Sequence, residues 1–204
     1  MTQSLPQLLS FDEFIAWYPN DGKRYELHKG VIREMPPPTG EHEKVVGFIA
    51  RKLTVEFDRL NLPYTIPKTV FIKTPSFASA YSPDVLLLNL ENLNNEPLFQ
   101  KQSTVSQAAS IPLVVEVVST NWRDDYYDKL RNYEEIGIPE YWIVDYAGLG
   151  ARKFIGNPKQ PTIFVCHLVD GEYQMISFQA NASIFSPTFP ELKLTAQQIF
   201  AAAK

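Results

Sequence analysis

Glu116 is the residue whose setting most needs a chemical explanation. It interrupts Leu113-Val114-Val115-Glu116-Val117-Val118, a run that otherwise reads as a strand buried on both faces. An unpaired ionised carboxylate there would be costly, or would neutralise through a raised pKa. Two settings relieve that cost. One is an ion pair or an edge position facing water; the other is a divalent cation held against the carboxylate. Asp84 is a second carboxylate, set between Pro83 and Val85-Leu86-Leu87-Leu88. Ser-Pro-Asp opens many ordinary turns and strands, so Asp84 alone says little. Paired with Glu116 on a neighbouring buried strand, it matches what Mg²⁺ takes: oxygen ligands, with several waters retained.

Two further residues join this pair. On a helix wheel over Arg123 to Ile136, Tyr126, Leu130 and Tyr133 form an apolar stripe, and Lys129 and Asp125 flank it. A long side chain at Lys129 would reach back to the strand before its helix. The plainer reading is an Asp125–Lys129 surface pair. Glu26 alternates with Tyr25 and Leu27, so it faces either solvent or the same site as a third carboxylate. Asp145, closing Trp142-Ile143-Val144-Asp145, is a lesser candidate. His28, His42 and His167 lack zinc-like spacing and read as satisfied or surface histidines. No Cys-x-x-Cys, His-Glu-x-x-His, Gly-rich phosphate loop or G-x-S-x-G occurs.

The elements that must position these groups follow from local patterns. Ser10 and Glu13 form a capping box ahead of a short helix to about Tyr18. Lys29-Gly30 centres a two-residue hairpin loop. A helix from about Glu41 to Leu60 carries Val45, Ile49, Leu53, Phe57 and Leu60 on one stripe. Strands are expected over 64–73, 83–89 and 112–118. A helix over 123–136 should end at Gly137 and Pro139. EYWIVD, RKFI, TIFVCHLV and EYQMISF read as further strands, the last two joined at Asp170-Gly171, before a short closing helix. Residues 90–110 show no core-forming pattern. The class is α/β or α+β.

The chain has 204 residues, 45% of them hydrophobic, enough for one domain over 1–204 with a real core. A net charge of −4 argues against a surface that clamps many phosphates, and leaves room for a local basic groove or an acidic metal site. The one cysteine, Cys166, forms no intrachain disulfide and reads as a small buried hydrophobe. The N-terminal stretch shows no signal peptide, and no run is long enough to span a bilayer. A reducing cytoplasm is the expected setting.

RYELHKGVIREM, YSPDVLLLN, PLVVEVVSTNWRDDYYDKLRNYEEIGIPEYWIVD and FSPTFPELKL together resemble the Uma-type family of bacterial endonucleases, within the PD-(D/E)XK superfamily. The resemblance implies a restriction-endonuclease-like fold: a mixed central sheet flanked by helices, with an N-terminal helix-hairpin and additional C-terminal strands. It implies a metal-dependent nuclease whose catalytic set is Asp84, Glu116, Lys129 and Glu26. Asp84, Glu116, the Val117 carbonyl and Glu26 would hold Mg²⁺ or Mn²⁺, with DNA as substrate. Val118 stands where the plain motif has a lysine; in the Uma-type pattern that lysine comes from the next helix, here as Lys129. By analogy a homodimer would suit double-strand cleavage. The alternatives are a non-catalytic member that keeps the fold to bind nucleic acid or protein, and a hydrolase of small phosphorylated substrates.

Overall fold

The computed structural model describes residues 8–75 and 78–204, so part of the N-terminal stretch read for targeting lies outside the described residues. Helix α1 (Phe11–Trp17) begins at the expected capping box: Ser10 Oγ accepts from the Glu13 N–H, and the Glu13 carboxylate accepts from the Ser10 N–H. Strands β1 (Arg24–His28) and β2 (Val31–Met35) turn through Lys29 and Gly30, with φ of 51° and 81°. Positive φ at both positions is the twist-matched hairpin geometry. Gly30 is also required for space, because a Cβ there would stand 2.8 Å from Leu8 Cβ. Thr39 caps α2 (Gly40–Arg59), whose Val45, Ile49, Leu53 and Phe57 are all buried.

After α2 come β3 (Tyr64–Thr65), β4 (Phe71–Lys73), β5 (Ala80–Tyr81) and β6 (Val85–Asn89). Helix α3 (Phe99–Gln102), β7 (Thr104–Val105) and β8 (Leu113–Val117) follow. A π-helical turn, Asp124–Lys129, runs into α4 (Leu130–Ile136), which ends at Gly137 in the left-handed region. The chain closes with β9 (Glu140–Asp145), α5 (Arg152–Ile155), β10 (Thr162–Val169), β11 (Glu172–Phe178) and α6 (Ala196–Ala202).

These strands make two mixed sheets. One has the order β11-β10-β9-β8-β6-β3, and the other β2-β1-β5-β4-β7. Only β8–β9 in the first and β4–β7 in the second run parallel. The β8–β9 crossover passes through the π turn and α4, as a parallel pair requires. Alternation along the strands then sorts the core. Val115, Val117, Val85 and Leu87 pack against α2 and α6 on one face of the large sheet. Val114, Val118, Leu86 and Tyr141 face Tyr126 and Tyr133, together with Ile72 and Tyr81 of the small sheet. The small sheet's other face, through Tyr25, Leu27 and Phe71, covers α1. Among the described residues no helix is long and apolar enough to cross a membrane.

Four expectations need correction. The run 64–73 is two short strands in different sheets, interrupted around Pro67. RKFI is the short helix α5, because its flanking turns place Ile155 in the core without any sheet partner. Residues 90–110 are ordered around a buried carboxylate: Glu96 accepts from Ser106 N–H, Ser106 Oγ–H and Gln107 N–H at 2.9–3.2 Å. The helix expected over 123–136 is π-helical in its first half.

Candidate active site

The pairing of β6 with β8 sets Val85 opposite Val115 and Leu86 opposite Val114. Carried one step further, the same register puts Asp84 opposite Glu116, on the face shared with Leu86 and Val114. The Val117 N–H donates to Asp84 Oδ2 at 2.8 Å, locking the two strand ends together. Glu116 is only 2% exposed. Its Oε1 accepts from the Tyr133 hydroxyl at 2.7 Å, and its Oε2 lies 2.9 Å from Lys129 Nζ.

Lys129 is 3% exposed, so the surface-pair reading fails. Its ammonium also lies 3.4 Å from Asp125 Oδ1 and 3.9 Å from Glu26 Oε1. Both Asp125 and Lys129 come from the π turn. Such a wide turn inserts a residue into helical pitch and recurs at functional sites; here Asp124, Asp125, Tyr126 and Lys129 are all buried. Glu26 faces inward, opposite Tyr25 and Leu27. It accepts from the Ser82 N–H and lies 2.9 Å from His28 Nε2.

Three carboxylates therefore converge on one lysine, with the Asp84 charge close enough to act on it, and the electrostatics register the imbalance. Burial pushes Glu116 up to about 8; Lys129 opposes this, while Asp84, Asp125 and Glu26 add to it. Burial likewise raises Asp125 to about 7 against the pull of Lys129. For Glu26, burial is outweighed by Lys129, His28 and the Ser82 N–H, and the carboxyl is held below its usual range. Burial disfavours the Lys129 ammonium, yet the surrounding carboxylates raise its pKa well above the ordinary lysine value. Lys129 is thus a fixed cation.

The site opens into a cleft of about 310 Å³ lined by these residues, the Pro36–Pro38 segment and the loop Ser119–Asn121. His42, read from the sequence as a satisfied or surface histidine, also lines it. Its Nε2 is 3.0 Å from the Val117 carbonyl and 3.4 Å from Asp84 Oδ2. Burial alone would lower its pKa, but Asp84 and the Val117 carbonyl raise it. His42 sits in the first turn of α2, and nothing in its spacing to Asp84 betrays the contact. Asp145 lies apart. It is fully buried and accepts from the Tyr126 hydroxyl and the Leu149 and Gly150 N–H groups. His28 buttresses Glu26, and His167 is half-buried on β10.

Among the described residues no three His, Cys, Asp or Glu side chains form a ready cage for a metal ion. The donors the cleft offers side by side at the β6–β8 ends are Asp84, Glu116 and the Val117 carbonyl, all oxygen, with Glu26 and Asp125 further along its wall. A short all-oxygen set suits an ion that keeps several waters. The excess negative charge around Lys129 suits one that is divalent.

The profile of the Uma2 family, described as "Putative restriction endonuclease", matches residues 11–197. The chain belongs to the Uma2 family. The matched span of this Uma2 chain includes Glu26, His42, Asp84, Glu116 and Lys129. A crystal structure of a putative nuclease belonging to DUF820, from Anabaena variabilis, is similar with a TM-score of 0.73 and 16% identity. The likeness covers 96% of the Uma2 chain and 99% of that chain, and it bears out the expected mixed α/β fold of sheets flanked by helices. No curated protein matches.

Proposed function

We propose that this Uma2 chain is a single-domain, divalent-metal-dependent endonuclease that hydrolyses phosphodiester bonds in DNA. One observation carries the reading. Lys129 Nζ stands 2.9 Å from Glu116 Oε2 on the floor of a cleft that also takes in Asp84. That proximity supports reading this lysine, from the following helix, as standing in for the one the sequence motif has at the position of Val118.

Asp84, Glu116 and the Val117 carbonyl would hold Mg²⁺ or Mn²⁺, with Glu26 assisting. A divalent cation bound there supplies a Lewis acid for a non-bridging phosphate oxygen and lowers the pKa of a water. The side chains do the positioning. Tyr133 fixes Glu116 Oε1, and Ser82 N–H with His28 fixes Glu26. His42 steadies Asp84 and the Val117 carbonyl from the α2 side. Lys129, permanently charged, orients the attacking water or donates to charge developing on the phosphate. Asp125 holds its ammonium in place. A homodimer presenting two such clefts to opposite strands, and a cytoplasmic setting, belong to the same reading.

The test is cleavage of supercoiled and linear DNA by the purified chain with Mg²⁺ or Mn²⁺. Glu116→Gln and Lys129→Ala should abolish cutting while circular dichroism stays unchanged. Cutting that survives Glu116→Gln contradicts the proposal.

A further inference from the structure

Beside the cleft lies a surface the catalytic reading does not use. The loop Ser119–Asn121 lines the cleft, and Trp122 follows it directly. Trp122 and Tyr127 approach at 6.3 Å between ring centroids, and Tyr127 meets Phe154 of α5 at 5.7 Å. Tyr127 is 42% exposed, and Trp122 and Phe154 are half-buried. Two of the rings are fixed from below: buried Tyr126 packs against Trp122 at 5.9 Å and Phe154 at 4.8 Å.

Cations sit over these rings. The Arg123 guanidinium lies 4.6 Å from the Trp122 ring, and Lys153 Nζ lies 5.0 Å from Tyr127 and 4.7 Å from Phe154. Among the described residues neither Arg123 nor Lys153 is paired with a carboxylate. The acids nearest in sequence are engaged elsewhere: Asp124 by Arg33, Asp128 by Lys29 and Asp125 by Lys129. In a chain of net charge −4, this is a local positive, aromatic surface that begins one residue beyond the cleft-lining loop.

We infer that Trp122, Tyr127 and Phe154, with Arg123 and Lys153, form a stacking platform for unpaired nucleotides, so that the cleft receives nucleic acid with a single-stranded segment. Assigning that substrate class rests on the nuclease reading. The physics is general. Bases in a duplex hide their faces in the stack, whereas unpaired bases offer them to aromatic rings, and cations on the same surface meet the phosphates. A platform of this kind therefore discriminates strand state rather than sequence.

The experiment is fluorescence anisotropy with a labelled oligothymidylate and with a duplex of equal length, in EDTA, so that no cutting occurs. The single strand should bind more tightly and quench tryptophan emission, and Trp122→Phe should remove the quenched component. Tyr127→Ala and Arg123→Ala should each weaken binding by roughly tenfold. Tyr127 is exposed, so its removal should leave folding intact, checked by circular dichroism. Duplex binding as tight as single-strand binding, or unchanged affinity in both Tyr127→Ala and Arg123→Ala, overturns the platform. Because the assay needs no metal, its failure is separable from that of the nuclease reading, which Glu116→Gln tests by cleavage.

Discussion

Two neighbouring strands of the large sheet each bury carboxylates, and they do so in opposite ways. On β9, Glu140 accepts from Trp142 Nε1–H, Ser186 Oγ–H and the Thr188 N–H at 2.6–3.1 Å. Asp145, at the other end of β9, accepts from one hydroxyl and two backbone N–H groups. Every partner is neutral, and neither residue lines the cleft. Glu116, on parallel β8 beside it, shares one lysine with two other acids and opens onto solvent-accessible space. Burial of a carboxylate is therefore common to structure and to chemistry. What separates them is the company: saturated neutral donors close a site, and an under-compensated cluster beside a cleft carries a charge imbalance that a bound cation would relieve.

That contrast can be broken experimentally, most sharply at the cluster itself. Glu116→Gln or Lys129→Ala should remove metal-dependent DNA cleavage, a loss of at least a factor on the order of 10²–10³. Steady-state nicking rates measure this. Glu116→Gln should leave the melting temperature little changed, whereas Lys129→Ala leaves its carboxylate partners buried without their cation and should lower it. Glu140→Ala should do the reverse. It strands the Trp142 indole N–H and the Thr188 N–H in the core, destabilising the fold by about 2–3 kcal/mol in denaturant titration. Cleavage per folded molecule should be unaffected. A catalytic loss without destabilisation at Glu140 would erase the distinction.

His42 lies between these extremes, since it lines the cleft and bonds to Asp84 and the Val117 carbonyl rather than to Lys129 or Glu116. His42→Ala should lower metal-dependent cleavage by roughly 10–100-fold. His42→Gln, which keeps a donor, should recover part of it. The smallest effect is at Gly150, whose N–H donates to Asp145. A Cβ there would come within 2.9 Å of both Asp145 Oδ2 and Tyr126 Oη. Gly150→Ala should destabilise by about 1–3 kcal/mol through that overpacking, measured as a lower unfolding midpoint, and leave cleavage intact.

Much of this arrangement is legible in the sequence where the cause is local. The apolar run around Glu116 marks a central strand, Lys29-Gly30 and Asp170-Gly171 mark their hairpins, and Ser10 with Glu13 marks a helix start. Glu26 alternates with Tyr25 and Leu27 as a strand must, so its side was readable although its burial was not. Elsewhere the cause is long-range. Short β4 exists through partners in β5 and β7. Residues 90–110 are organised by Glu96, whose bonds to Ser106 and Gln107 leave no periodic signal. His42 reaches Val117 from another element, across the sheet edge. Nor does composition announce a π turn; a helix wheel of ordinary pitch still sets Asp125 and Lys129 on one side, which is why the pair was visible and its burial was not.

The Glu116 cluster is proposed to take a divalent cation. Calorimetric titration of the metal-free protein with Mn²⁺ tests it most directly. Saturable uptake by the wild-type chain, lost in both Asp84→Asn and Glu116→Gln and retained in Glu140→Gln, is the predicted result. Uptake that is absent from the wild type, or that persists undiminished in Asp84→Asn, would contradict the account.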